Sequence, residues 1–111
     1  MNINYMNNFR FNKRTNNLFQ TILNLRSIRE AEVFFRDLCT IQELEDMSER
    51  WQIVLLLNDG LSYRNIADRL NTSTTTVTRV ANWLNNGMGG YRSALSKSNH
   101  HKPFQLGRGL S

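Results

Sequence analysis

The side chains that are best suited to bind another molecule lie between Thr74 and Asn82. Thr74, Thr75, Thr78, Arg79 and Asn82 follow one another at steps of one or three residues, so in a helix they share one face. Threonine offers a hydroxyl and a methyl group to base edges, asparagine can pair with adenine, and arginine can pair with guanine or a phosphate. This set of side chains predicts a surface that reads the major groove of double-stranded DNA.

Two apolar stripes indicate the helices that would position this surface. The stripe residues are Ile66, Ala67 and Leu70 in a first helix and Val77, Val80 and Ala81 in a second. Each set falls on one face of its helix, so the two helices can pack together as a helix-turn-helix. The small Ala67 stands where the helix axes would cross.

The sequence also predicts the turn and the helix starts of this motif. Asn71 stands at the turn, where asparagine tolerates a left-handed backbone, and Ser62 and Ser73 have the positions of N-caps. We expect Arg64 and the capped helix start at Ser62 to hold the phosphate backbone. Thr72 and Ser73, next to the turn, complete the predicted DNA-binding residues.

The charge is distributed in a pattern that suits this interpretation. The net charge of +5 divides into +5 for Met1–Arg29, −6 for Glu30–Asp59, +3 for Gly60–Leu95 and +3 for Ser96–Ser111. No acidic side chain follows Asp68 in the sequence. Basic segments turned towards DNA and an acidic face turned away would favour association through electrostatic steering.

The composition argues against several other classes of protein. A chain of 111 residues has room for one small domain, and its single cysteine, Cys39, cannot form an internal disulfide, as expected in a reducing cytoplasm. No apolar run approaches the roughly 20 residues of a membrane span, and the N-terminus lacks a secretory signal. We therefore expect a soluble cytoplasmic protein without a membrane partner.

No pattern of catalytic or metal-binding residues was found, so we expect neither an enzyme nor a cofactor. The sequence lacks a phosphate-binding glycine loop, a His-Glu metal spacing and a nucleophile with a credible base. Glu43, Glu45, Asp46 and Glu49 are better explained as a solvated acidic face than as catalytic carboxylates. The neighbours His100 and His101 cannot both face one metal ion in the usual way.

The remaining sequence predicts helices between two terminal arms. Residues 1–17 contain seven asparagines and are predicted to be a mostly disordered basic arm, although such an arm could also follow a DNA groove. The domain is predicted over 18–95, and residues 96–111 form a basic tail. A short apolar stripe from Leu18 and the capping pairs Ser27–Glu30 and Thr40–Glu43 predict the first helices of the domain. A central helix is predicted over Trp51–Leu57 and ends at Gly60. The sequence further predicts a helix break at Gly87 and a last helical turn over Tyr91–Leu95.

The aromatic content of the first half predicts an interlocked dimer. Phe19, Phe34, Phe35 and Trp51 are more than one small subunit can easily cover. The alternative is a compact monomer with these side chains in its own core.

These motifs together resemble a known family. The segments LCTIQELEDMSERW, GLSYRNIADRL, TTTVTRV and NGMGGY are similar to the Trp repressor superfamily and, within it, to the YerC/YecD-type TrpR-related proteins. The resemblance covers roughly Leu18 to Leu95. It implies an all-α, TrpR-like helical bundle that forms an intertwined homodimer with two DNA-reading heads.

The resemblance also bears on the corepressor. In the tryptophan-sensing members, two arginines hold the indole of the ligand, with threonines nearby and small residues after the second arginine. Arg50, Arg79, Thr40 and Thr76 stand at the matching positions, but the small residues are replaced, by Val80 next to Arg79 and by Trp83 three positions later. The indole of Trp83 could fill the space of a ligand, so no tryptophan corepressor or other small-molecule effector is expected.

The sequence thus predicts a homodimeric transcriptional regulator that reads a near-palindromic operator, and we expect it to act as a repressor. Its helix from Thr74 to Asn85 would enter the major groove, with half-sites about 34 Å apart or a multiple of that distance. The alternative is a dimeric helical adaptor that binds a protein partner and no DNA.

Overall fold

Helices are the only regular secondary structure in the described part of the chain. The computed structural model describes residues 9–100, and for Asn99 and His100 the backbone alone. Within that range the chain forms α1 (Lys13–Leu23), α2 (Ile28–Leu38), α3 (Ile41–Asn58), α4 (Tyr63–Leu70), α5 (Thr74–Asn86) and α6 (Gly90–His100). The predicted all-α class is confirmed for these residues.

The chain divides into two compact units at the middle of α3. The first, here called the N-terminal unit, ends at Arg50, and the second, the C-terminal unit, begins at Trp51. The run Trp51–Leu57, predicted as a central helix, is the second half of α3, which begins at Ile41. A single capped start therefore serves both the acidic segment and the apolar run.

Helix α1 begins earlier than the sequence pattern indicated. The predicted domain boundary was Leu18, but the helix begins at Lys13, so five residues assigned to the N-terminal arm are helical. Asn12 and Thr15 explain the early start: Thr15 N–H donates to Asn12 Oδ1 at 3.1 Å, and Asn12 N–H donates to Thr15 Oγ1 at 2.9 Å. This reciprocal pair is a capping box, and it lies ahead of the apolar stripe that begins at Leu18. Residues 1–8 of the predicted arm lie outside the described residues.

The two capping pairs predicted for the N-terminal unit both cap helices. Glu30 N–H donates to Ser27 Oγ at 3.0 Å, while the Glu30 carboxylate accepts from Arg26 N–H at 2.9 Å, one residue before the cap. Thr40 and Glu43 form the full reciprocal box, with distances of 2.8 Å and 3.0 Å. These bonds satisfy amide groups that a helix start leaves without partners.

The N-terminal unit has no interior of its own. None of the residues from Phe9 to Arg50 is buried. Large apolar side chains stand open to solvent, with Ile28 81% and Leu23 76% exposed. Phe34 and Phe35 are half-buried and meet edge to face, with ring centroids 5.5 Å apart. Cys39 is half-buried.

The C-terminal unit, in contrast, has a well-defined core. Its fully buried side chains come from three helices: Ile53 and Val54 of α3, Ile66 of α4 and Val77 of α5. The remaining buried residues are Ala67, Val80, Ala81 and Leu95, and Trp51, Leu70, Leu84 and Tyr91 are among the half-buried residues that pack around them. This core fixes the positions of α4, α5 and α6.

Glycines close α3 and α5, as the sequence predicted. Gly60, the second residue after the end of α3, adopts φ +90°, a backbone conformation that is strained for residues with a side chain. Helix α5 ends at Asn86, and a Cβ on Gly87 would overlap the carbonyl oxygen of Trp83. The last helix is longer than the predicted turn: α6 continues to His100, five residues past Leu95. Residues 101–111 of the predicted tail lie outside the described part.

Two kinds of structural feature are absent from residues 9–100. No helix there combines the length and apolar character required to cross a membrane. No three His, Cys, Asp or Glu side chains of that part meet in an arrangement that could hold a metal ion. The His100–His101 pair lies outside the side chains that the structure describes.

Candidate nucleic-acid interface

The turn between α4 and α5 is fixed by the backbone of Asn71. This residue has φ 56° and ψ 49°, the left-handed conformation that the sequence predicted. Asn71 N–H donates to the Asp68 carbonyl at 3.4 Å, and Thr72 N–H donates to the Ala67 carbonyl at 2.9 Å. This is the Schellman pattern, which ends a helix sharply and satisfies its last carbonyl groups.

Serines begin both helices of the motif. Ser62 Oγ accepts from Asn65 N–H at 3.1 Å at the start of α4, and Ser73 Oγ accepts from Thr76 N–H at 3.0 Å at the start of α5. The Thr76 hydroxyl also lies 3.0 Å from Ser73 Oγ. The predicted caps are therefore confirmed, and Thr76 belongs to the cap of α5.

The buried stripes hold the two helices in a fixed relation. Ile66 and Val77 are completely buried, and Ala67, at the predicted crossing, is 5% exposed. Because Val77, Val80 and Ala81 turn one side of α5 into the core, the other side must face outwards. The packing that the sequence predicted between α4 and α5 is confirmed.

The predicted DNA-binding residues lie at the outward side of this motif. They differ in exposure: Ser62, Arg64, Ser73, Thr74, Thr75, Thr78 and Arg79 are exposed, whereas Thr72 and Asn82 are half-buried. Within residues 9–100 the hydroxyls of Thr74, Thr75 and Thr78 make no hydrogen bond to the protein, in contrast to the hydroxyl of Thr76. These three threonines are therefore free to bind another molecule.

The charge of the motif is compatible with a polyanion. Arg79 is the one charged residue of α5, and α4 carries Arg64 and Arg69 against Asp68. All four of these side chains are exposed. An uncharged hydroxyl-rich face with flanking arginines can approach phosphates without the repulsion that a carboxylate on α5 would cause.

One polar contact near this surface was not found from the sequence. Arg92 Nη2 donates to Asn85 Oδ1 at 2.8 Å and so ties the first turn of α6 to the last turn of α5. The two residues are seven positions apart, and the glycine-rich turn between them interrupts the helix, so no helical periodicity relates the two side chains. Tyr91 also packs near Trp51, with ring centroids 6.2 Å apart.

Val80 and Trp83, which were expected from the sequence to depart from the tryptophan-sensing pattern, both lie inside the C-terminal unit. Val80 is 3% exposed and belongs to the core, and Trp83 is half-buried. The six-membered ring of Trp83 approaches the backbone of Gly87, since a Cβ there would stand 3.3 Å from Trp83 Cε3.

Comparison with known proteins supports the same relationship. The family model for the Trp repressor protein matches residues 13–99. The uncharacterized protein YerC of Bacillus subtilis (strain 168) is 36% identical over 85 residues, which cover 77% of this chain and 82% of YerC.

Two crystal structures share the fold. A TrpR-like protein from Eubacterium eligens ATCC 27750 has a TM-score of 0.77 and 33% identity, over 87% of this chain and 95% of that one. A protein from Staphylococcus aureus described as a proposed Trp repressor has a TM-score of 0.76 and 32% identity, over 80% and 89%. With its helix order, its capped α4–α5 motif and these similarities, the chain belongs to the Trp repressor family.

Proposed function

We propose that this protein is a sequence-specific DNA-binding transcriptional regulator that acts as a repressor and reads its operator with α5. One observation carries the proposal: α5 buries Val77 and Val80 in the core and exposes Thr74, Thr75 and Thr78 on its other side. The hydroxyls of these three threonines bond to no protein atom among residues 9–100. A helix held this way can enter a major groove without disturbing its own core. Members of this family are regulators and not enzymes, which agrees with the absence of a catalytic pattern in the sequence.

The flanking residues have positions suited to phosphates. Arg64 is exposed in the first turn of α4, two residues after the cap Ser62, and Arg79 is exposed beside Thr78. Backbone amides at a helix start and arginine side chains are common phosphate ligands. We assign contacts with the phosphate backbone of the DNA to Ser62, Arg64 and Thr72. Contacts with base edges or flanking phosphates are assigned to Thr74, Thr75, Thr78, Arg79 and Asn82.

We also propose an intertwined homodimer. The support is the N-terminal unit, in which no residue from Phe9 to Arg50 is buried and in which Ile28, Leu23 and Ile41 are 81%, 76% and 58% exposed. A soluble helical unit rarely leaves so much apolar surface open, and a second copy of the chain would cover it. Sedimentation equilibrium should give twice the mass of the chain; a single chain mass at micromolar concentration contradicts the dimer.

A two-fold dimer has consequences for the operator. Its two heads would read half-sites about 34 Å apart, or a multiple of that distance, in a near-palindromic sequence. Tryptophan is not part of this proposal as a corepressor, because the family resemblance implies small residues in the ligand pocket where this chain has Val80 and Trp83. Measurable heat on titration of the protein with tryptophan would contradict this point.

Selection of bound sequences from a random DNA pool tests the whole proposal. We expect enrichment of a near-palindromic site and an affinity that falls steeply with rising salt, because bound phosphates release counterions. No retention of DNA at low salt would refute DNA binding and favour the alternative, a dimeric adaptor that uses the same surface for a protein partner.

The Arg79→Ala variant separates base reading from phosphate binding. We expect it to weaken operator binding by about 1–3 kcal/mol if Arg79 contacts a base, with little effect on unrelated DNA. Equal weakening on operator and random DNA would assign Arg79 to a phosphate. Lys97→Ala, at an exposed position of α6 outside the predicted DNA-binding residues, is the matched control for the loss of one positive charge.

A further inference from the structure

We propose that the protein recognises thymine by its methyl group, through the three exposed threonines of α5. This inference rests on the proposed function, since it requires α5 to lie in a major groove. It adds the chemical identity of what the helix reads: a short run of thymines, contacted by the Cγ2 methyl groups of Thr74, Thr75 and Thr78.

The first step is the difference between Thr76 and its neighbours. Thr76 is half-buried, and its hydroxyl and amide are both engaged with Ser73 at 3.0 Å. Thr74, Thr75 and Thr78 are exposed, and within residues 9–100 their hydroxyls bond to no protein atom. Thr21 in α1, for comparison, donates its hydroxyl to the Asn17 carbonyl at 3.0 Å. The capping role thus accounts for one threonine of the segment and leaves three without a structural function.

The second step is the choice of threonine over serine. Serine would supply the same hydroxyl to a phosphate or a base edge, so the methyl group is what threonine adds. The side chains from Thr74 to Thr78 are all branched at Cβ, which restricts χ1 and lowers helix propensity. The methyl groups of three exposed threonines with restricted χ1 would give a small apolar patch to an otherwise polar helix face.

The third step is what a major groove offers to such a patch. Donors and acceptors line the base edges, and the methyl group is the C5 substituent of thymine. With a rise of about 1.5 Å per residue, Thr74 and Thr78 are separated by about 6 Å along the helix, close to the roughly 6.8 Å of two base-pair steps. We therefore expect the contacted thymines to lie within about three consecutive base pairs of each half-site.

The test uses the full chain and duplexes carrying the site selected from the random pool. Thymines of one half-site are replaced singly by deoxyuridine, which removes the C5 methyl and leaves pairing intact. Each contacted position should bind about fourfold more weakly, the factor that about 0.8 kcal/mol per buried methyl-sized group implies. For the protein variants described below, circular dichroism checks that the helices are intact.

Serine variants then assign each methyl contact to a residue. Thr74→Ser, Thr75→Ser and Thr78→Ser keep the hydroxyl, so each should weaken binding to the thymine duplex and abolish the effect of deoxyuridine at one position. Thr76→Ser is the matched control and should leave the discrimination between thymine and deoxyuridine unchanged. Such coupling between a DNA substitution and a protein substitution does not arise from altered stability alone.

The outcomes separate this inference from the proposed function. An enriched site that tolerates deoxyuridine at every position, or whose sensitivity to deoxyuridine survives all three serine variants, overturns methyl recognition and leaves DNA binding intact. A pool that yields no enriched site overturns the proposed function, and methyl recognition with it.

Discussion

Replacement of Asn71 tests the turn on which the orientation of α5 depends. Asn71 is exposed and has φ 56° and ψ 49°. Left-handed backbone costs a residue with a Cβ roughly 1–2 kcal/mol, a cost that asparagine partly escapes and glycine avoids. Asn71→Ala should therefore lower the free energy of unfolding by about 1 kcal/mol, and Asn71→Gly should lie much closer to the parent protein.

The size of the glycine effect follows from two opposing terms. Glycine relieves the strain of the left-handed backbone, but it gains conformational freedom in the unfolded chain, which costs about 0.4–1 kcal/mol. The two contributions nearly cancel, so we expect a change within about 0.5 kcal/mol for Asn71→Gly. The order of stability should be the parent protein and Asn71→Gly together, with Asn71→Ala clearly below them.

Urea unfolding followed by circular dichroism measures this order. All variants must be compared at one protein concentration, because the stability of an oligomer depends on it. The midpoint should fall for Asn71→Ala without a change in the slope, which reports the surface exposed on unfolding. Equal stability of the alanine variant, or a loss above 1 kcal/mol for the glycine variant, would refute the left-handed turn as the cause.

Three further substitutions address the helix start, the core and the closing turn. Ser73→Ala removes the acceptor for Thr76 N–H and should cost about 1 kcal/mol in urea unfolding; no loss would mean that water replaces the cap. Ile66→Ala empties a completely buried position and should cost about 2–5 kcal/mol, against about 0.5–1.5 kcal/mol for the control Ile66→Val. Gly87→Ala brings a Cβ against the Trp83 carbonyl and should lower the thermal midpoint by an amount equivalent to about 1–3 kcal/mol, whereas an unchanged midpoint would show that the turn adapts freely.

Local signals in the sequence were sufficient to predict the helix-turn-helix. The caps Ser62 and Ser73 and the left-handed Asn71 each act over two to four residues, so their effect is readable from neighbours in the chain. The apolar stripes of α4 and α5 follow helical periodicity and were equally visible. The family resemblance agreed with both.

Other features depend on interactions that periodicity does not reveal. The start of α1 was missed because Asn12 and Thr15 cap it through polar side chains, ahead of any apolar stripe. The bond from Arg92 to Asn85 crosses the turn after Gly87, so only the folded chain brings the two together. The continuation of α6 to His100 likewise lacks an apolar pattern beyond Leu95.

The helices of the N-terminal unit bury none of their side chains. Their stability is therefore expected to depend on the concentration of the protein. In the proposed dimer a second copy would cover these helices, so mass action would govern their order, and dilution should melt α1 and α2 while the core around Ile66 and Val77 persists. Two separate transitions would then replace one as the protein is diluted. Occupancy of a two-headed site would rise with the square of the monomer concentration at the dilute end, so a modest change in synthesis would switch a target gene more sharply than a monomeric reader could.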